Sequence, residues 1–579
     1  MSLTGSLNIG RSALSASQVA IQVTGNNFAN ASTPGYSRQR VNLQALSDQR
    51  WGNYFLGRGV GIASIQRQVD AALQARLNGS ISQQASADIG SSFLSQLESV
   101  VNELGDNNLS DQFDKFYSAW SEIANSPNRD GARALVVQQG RTLAAAIQST
   151  RRDLFNARAQ LDQQLGASVN QADNLLNQIA AINVQIVNSE GGSAEANALR
   201  DQRDTLISGL SQIMDVSTIE QANGAVDVLV GSTPVVLAGL NRGVTLQRSV
   251  DGETVTVNVR ADGTQLSING GTIGGLLEQR GGAVDRTIDS LDRVAGQLIF
   301  QVNRIHSTGY GGTTFSSVRS TLTIPAADTT RAINDPTNTT FADLPFHANN
   351  GGFLVTVKND QTGASQTVRI NVDLDGITNT GAPGTADDTS VASLAGDLNG
   401  VANLNATINP DGTLSIAAGT GYSVSFSEDS SGVLAVLGVN TYFTGTDATN
   451  IGIRQALIDE PRLLATGQVI AGAPTDNGAA LAIAGLRTAT NDALSGASIA
   501  GAWRDVAQVI GAEAQAAASR ADASTIVRDN LEAQRSAISG VSLDEESINL
   551  LNYQRMYQGA ARFISTVDEL TQTLLAMVG

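Results

Sequence analysis

From Leu7 to Phe28 the positions Leu7, Gly10, Leu14, Ser17, Ile21, Thr24 and Phe28 recur in alternating steps of three and four, and Ala13, Ala16, Ala20 and Val23 widen the stripe. A 3.5-residue period of this kind predicts one amphipathic helix starting near Leu3. It should end before Pro34, because the residue ahead of a proline is pushed out of the α region, and Gly35 can supply the positive φ of a type II turn. Extended chain follows through Val41 and Leu43 to a turn at Gly57-Arg58-Gly59-Val60-Gly61, and helices resume near Val69. At the other end Tyr553, Tyr557, Ala560, Ile564, Val567, Thr571, Leu574 and Val578 step by four and three, flanked by Met556, Phe563, Leu570 and Met577. A helix of about 30 residues is marginal alone in water. The two ends are therefore expected to pair with each other and to need further surface from neighbouring molecules.

Between the ends the period changes twice. Gly131 to Ser189 has no proline and only Gly140 and Gly166 inside it, which predicts one very long helix or two end to end; Glu195 to Met214 is also helical. From Val216 a period of two takes over, with Val255, Val257 and Val259 alternating with polar residues and hairpin turns at Asp251-Gly252 and Asp262-Gly263. A helix is expected from Val284 to Ile305. Strands are then expected at Phe353–Lys358, Gln366–Val372 and Thr413–Ile416, the last preceded by Asp411-Gly412, and together they describe an inserted β domain. Helix returns over Ile499–Ile538 and, after Gly540 and the capping box Ser542-Leu543-Asp544-Glu545, over Glu546–Val578.

A length of 579 residues exceeds what one core supports, so three or four units are expected. Aromatic residues make up only 4% while 58 glycines are present, a mixture suited to slender helices and thin layers. The net charge of -18 repels phosphate backbones and anionic membrane surfaces, so neither nucleic acid nor membrane is expected as a partner. No basic and apolar leader opens the chain, and no stretch approaches a membrane span.

Candidate chemistry is sparse. With no cysteine, thiolate catalysis and Cys-ligated zinc are excluded. The two histidines, His306 and His347, have no nucleophile motif around them and read as ordinary polar or packing residues. Asn371-x-Asp373-x-Asp375-Gly376 echoes the start of a calcium loop, but Ala382 stands where the bidentate Glu belongs, so a hairpin turn is expected. Gly57-x-Gly59-x-Gly61 lacks dinucleotide spacing, since Ile62 occupies the third glycine position. Arg200 and Arg203 beside Asp201 and Asp204 read equally as an interface network or a solvated helix face. No catalytic, cofactor or metal residue is nominated.

One resemblance organises the rest. Asn26-Asn27-Phe28-Ala29-Asn30 followed by Thr33-Pro34-Gly35-Tyr36-Ser37-Arg38-Gln39 resembles the N-terminal signature of bacterial flagellar rod, hook and hook-associated proteins. Within that axial family, Gly166–Asp173, Asn197–Leu206 and Ser542–Gln558 resemble the members that join hook to filament. The resemblance covers both ends and the flanks of the middle, not the β insertion. It implies a non-enzymatic structural subunit with an α+β multidomain fold. Residues 1–35 and 541–579 would form a terminal coiled coil, 36–185 and 455–540 a helical rod, 186–312 a mixed α/β domain, and 313–454 a β-rich outer insertion.

The same resemblance assigns Leu7, Leu14, Ile21, Phe28, Tyr557, Ile564, Val567, Leu570 and Leu574 to an assembly coiled coil, and Asn27, Asn30, Pro34, Gly35 and Tyr36 to the turn that leaves it. The partners it implies are further copies of the chain, the hook protein, the second junction protein (hook-associated protein 3) and a cytosolic export chaperone on the C-terminal helix. No cofactor is implied, and the location is the extracellular flagellum, reached through the flagellar type III apparatus without signal cleavage. A hook or distal rod protein is the nearest alternative and would lack the long helical region from Gly131 to Met214. A secreted adhesin or effector with a ligand-binding insertion is the other.

Overall fold

The computed structural model describes residues 3–101, 108–191, 194–250, 252–470 and 472–578, with the side chain of Val578 outside that set. Asp251 of the expected hairpin turn also lies outside the described residues, whereas Gly252 takes the positive φ, +74°, that such a turn needs. The chain resolves into two compact units, one of residues 1–94, 160–282 and 514–579, the other of residues 95–159 and 283–513. Among the described residues no helix is long and apolar enough to cross a membrane.

In the first unit the N-terminal helix, Leu3–Ala29, packs on the C-terminal helix, Leu543–Val578. Gly10 lies against Ile564 while Asn27 hydrogen-bonds Glu546, so the two run antiparallel. A Cβ at Gly10 would come within 2.7 Å of Ile564, and the small residues Ala16, Ser17, Ala20 and Thr24 continue the buried face. After the first helix, Gln39–Ala45 pairs antiparallel with Val60–Arg67, and the hairpin Gln49–Trp51/Tyr54–Leu56 projects from between them. The β pattern expected after Val216 forms an antiparallel four-strand meander over residues 217–241 and a separate hairpin, Val244–Arg248 with Val255–Val259.

A helix that periodicity misses, Gly271–Gln279, sits here too. Its glycines are poor helix formers, yet a Cβ at Gly275 would meet the Ser86 carbonyl at 2.9 Å. Close backbone approach, not propensity, selects them.

The expected long helix is a single one of 60 residues, Asp130–Ser189. Gly140 within it clears room for Tyr442, whose hydroxyl donates to the Val136 carbonyl at 2.8 Å. Tyr442 belongs to an aromatic core of the second unit with Phe116, Trp120 and Phe443, ring centroids 4.7 to 6.3 Å apart. The expected strands all form there: Gly351–Asn359 lies between Ser365–Val372 and Tyr422–Ser427, and Leu414–Ala418 pairs with Leu404–Ile408 across the turn at Gly412, φ +82°.

His306 lies against the same core, fully buried. Its Nδ1–H donates to the Asn440 carbonyl at 2.8 Å and its Nε2 accepts the Ala465 N–H at 3.1 Å, a pairing that requires the neutral ring. Burial accordingly pushes its pKa down to about 4. An unfolded imidazole titrates near 6.5, so between about 6.5 and about 4 the unfolded chain binds the extra proton and the folded one does not. The stabilisation is complete above pH ~6.5 and falls by on the order of 3 kcal/mol as pH drops to ~4. Urea midpoints followed by tryptophan fluorescence should decline over that window, and His306→Gln, which keeps a donor and an acceptor but cannot titrate, should flatten the decline. An equal decline in the variant would assign it to carboxylates instead.

Candidate functional site

The Asn-rich end of the first helix folds into a compact hub. Asn30 closes the helix by donating Nδ2–H to the Asn26 carbonyl and to Asn26 Oδ1, both at 3.0 Å. The chain then turns through Thr33-Pro34-Gly35-Tyr36, with the Tyr36 N–H on the Thr33 carbonyl at 3.2 Å and Gly35 at φ +79°. That is the expected type II turn, and a Cβ at Gly35 would strike the Thr205 side chain as well as strain the backbone.

Asn27, 1% exposed, is the centre. Its Nδ2 donates to the Gln39 carbonyl at 2.8 Å and to Glu546 Oε2 at 3.0 Å. Its Oδ1 accepts the Tyr36 hydroxyl at 2.7 Å and the Gln39 N–H at 3.0 Å. All four hydrogen-bonding positions of the amide are filled. Glu546, only 2% exposed, also accepts Arg38 Nε at 2.9 Å and lies 2.7 Å from Arg38 Nη2, while Glu545 pairs with the same guanidinium from the surface. Arg38 holds the end of the preceding helix as well, its N–H donating to the Ser539 carbonyl at 2.9 Å. The capping box forms by halves: the Glu545 N–H reaches Ser542 Oγ at 3.4 Å, but the Glu545 carboxylate is spent on Arg38.

The turn docks on the helix Asn197–Ile213. The Ser37 N–H donates to Asp201 Oδ2 at 3.2 Å, and Arg67 bridges Asp201 and Asp204 at 2.9 and 2.7 Å. Arg203 is buried and donates to the Gly224 carbonyl, and Arg200 pairs with Glu190 and Glu220. These four residues are not a freely solvated face: within the chain they form an internal bracket. Burial lowers the Arg203 pKa; for Arg67 burial acts the same way but Asp204 and Asp201 outweigh it, leaving it raised. Burial first, then Asp201 and Glu546, raise the Tyr36 phenol to about 12. Three of the four segments that carry the resemblance, around Asn27, Asp201 and Glu546, thus meet at one place. Spacing could not reveal it, since Asn27 and Glu546 are 519 positions apart.

The coiled-coil residues divide. Val567 is buried against the first helix, and Ile564 is half-buried beside Gly10. Leu7, Leu14 and Ile21 are half-buried. Phe28, Tyr557, Leu570 and Leu574 are exposed, together with Met556, Phe563, Leu575 and Met577. Within one molecule the pair closes through small residues, and most of the large apolar ones face outward.

Comparison with known proteins follows the same segments. The family description "Flagellar hook-associated protein FlgK helical domain" matches residues 94–315, "Flagella basal body rod protein" residues 7–36, and "Flagellar basal body rod FlgEFG protein C-terminal" residues 532–577. Flagellar hook-associated protein 1 of Bacillus subtilis is 33% identical over 227 residues, 38% of this chain and 44% of that protein. The protein of the same name from Escherichia coli is 23% identical over 98% of this chain and 99% of its own length. The solved flagellar hook junction protein FlgK from Burkholderia pseudomallei is 17% identical and superposes with a TM-score of 0.49, covering 80% of this chain and 100% of that one. Axial signatures at both ends, the helical-domain signature between them and near end-to-end similarity place the chain in the hook-associated protein 1 family of bacterial flagellar proteins.

Proposed function

We propose that this chain is a structural subunit of the flagellum that joins hook to filament by assembling with copies of itself into a tubular layer. The observation that carries the reading is the helix pair itself: it is closed by small side chains yet presents Phe28, Met556, Phe563, Leu570, Leu574, Leu575 and Met577 to solvent. Monomeric proteins rarely keep so many large apolar side chains exposed on one helix pair, and neighbouring subunits would cover them. The hook protein and hook-associated protein 3 are the flanking layers on this reading, and a cytosolic chaperone would shield the exposed stripe of the last helix before export through the type III apparatus to the extracellular flagellum. The four-part division into terminal coiled coil, rod, mixed domain and insertion is kept as the domain scheme for that assembly. The chain acts as a connector, not an enzyme.

Purified chain added to isolated hooks lacking all junction proteins should form an ordered layer at the hook tip, visible by electron cryomicroscopy, and should permit hook-associated protein 3 to add next. Hooks that stay bare at chain concentrations of about 10 μM, well above an ordinary specific affinity, would end the proposal.

A further inference from the structure

The segment between the strand Ser365–Val372 and the helix Val391–Asn399 opens with Asp373-Leu374-Asp375-Gly376. Gly376 adopts φ +68°, and an antiparallel bridge between Ile377 and Pro383 folds the next residues into a small hairpin. The hairpin returns the chain on itself. Thr389 is thereby pinned to Asp373 twice, its N–H on the Asp373 carbonyl at 2.7 Å and its Oγ1 accepting the Asp373 N–H at 2.8 Å. Carboxylate oxygens of Asp373, Asp375 and Asp388 consequently lie within 4.8 Å of one another.

Asp388 differs from an ordinary surface acid. It is only 6% exposed, and its Oδ2 accepts Asn334 Nδ2–H at 2.6 Å and the Gly376 N–H at 3.1 Å, yet its buried Oδ1 has no hydrogen-bond partner. Two more buried oxygens beside this loop, Asn334 Oδ1 and Asp387 Oδ1, lack partners too. Among the described residues none of the three clustered carboxylates has an ion-pair partner; Arg331 is spent on Asp328 and Arg319 on Asp411. A carboxylate withdrawn from water beside two like charges is costly unless a cation compensates it.

We propose that Asp373, Asp375 and Asp388 bind a divalent cation, and that the cation is Ca²⁺. The donors are all hard oxygens with no imidazole or thiolate among them, which disfavours zinc and copper. They stand on an irregular loop with additional oxygens around it, which suits the six to eight flexible ligands of calcium better than the strict octahedron of magnesium. The arrangement is not an EF-hand. The position that would carry the bidentate Glu, Ala382, is looped out in the 377–383 hairpin, and Asp388 delivers the distal carboxylate six residues later. Bound there, the ion braces the crossover between sheet and helix in the outer β insertion.

The test uses the full chain, freed of metal with chelator and titrated with CaCl₂ by calorimetry at physiological salt, with MgCl₂ as a parallel arm. One equivalent of Ca²⁺ should bind with a Kd of roughly 10⁻⁵ to 10⁻³ M, and Mg²⁺ at least about tenfold more weakly. Asp388→Asn and Asp375→Asn should each weaken Ca²⁺ binding by at least about tenfold; Asp375 is exposed, so its variant separates lost ligation from any folding defect of the buried one. Absence of saturable binding up to about 10 mM Ca²⁺, affinity unchanged in Asp375→Asn, or tighter binding of Mg²⁺ than Ca²⁺ overturns the assignment.

Discussion

A chain carrying Leu570→Asp and Leu574→Asp together is expected to keep its monomer stability to within about 1 kcal/mol and to lose assembly by about 10³-fold in critical concentration. Both leucines are exposed on the last helix, so neither contributes much to the fold of one molecule. Surface substitutions of that kind usually change stability by only a few tenths of a kcal/mol. Covered by a neighbour, each leucine would contribute roughly 2 kcal/mol, and about 4 kcal/mol together is nearly three decades in an association constant. The new carboxylates would also sit beside Asp568 and Glu569. Sedimentation of seeded assemblies and urea midpoints read the two effects separately. Assembly at the unsubstituted concentration would show that the outward stripe is not the contact surface. Val567→Asp is the contrasting change, because Val567 is buried against the first helix and its loss opens the pair inside the monomer.

Glu546→Ala should destabilise the unit holding the terminal helices by about 3 to 5 kcal/mol, the cost of leaving one partner of a buried pair without the other. The Arg38 guanidinium loses its buried acceptor, and Asn27 loses one of its four hydrogen bonds. Glu545→Ala, removing the exposed partner of the same arginine, should cost no more than about 1 kcal/mol. Amide hydrogen exchange across Leu3–Ala29 and Leu543–Val578 would report the difference. Equal, small effects from both substitutions would mean that the hub is a bystander to the pairing of the helices.

Periodicity exposed the terminal helices, the 60-residue helix and the inserted strands because burial repeats there at a regular interval. It did not rank the positions within the seam. Within one molecule the antiparallel pair buries the small members of that seam and its flank, Gly10, Ala16, Ser17, Ala20 and Thr24, whose value is the distance they permit between backbones, while Leu7, Leu14 and Ile21 are half-buried and Phe28 is exposed. The helix Gly271–Gln279 escaped notice for the same reason. The turn at Pro34-Gly35 was legible, since its backbone angles are dictated by those two residues. Its hydrogen-bond partners were not: Asp201 and Glu546 are brought in by tertiary structure, and no local pattern singles them out. Asp388 was hidden in the same way, beyond a hairpin that displaces it from the expected loop position.

The Tyr36 phenol donates its proton to Asn27 and must keep it to do so. An unfolded tyrosine ionises near 10 and this one at about 12, so the folded state holds the proton across that interval and the unfolded state does not; stability is whole below the first value and drains away as pH climbs to the second. Lye is therefore expected to slacken the clasp between the two chain ends, and vinegar the packing around the imidazole buried in the other unit.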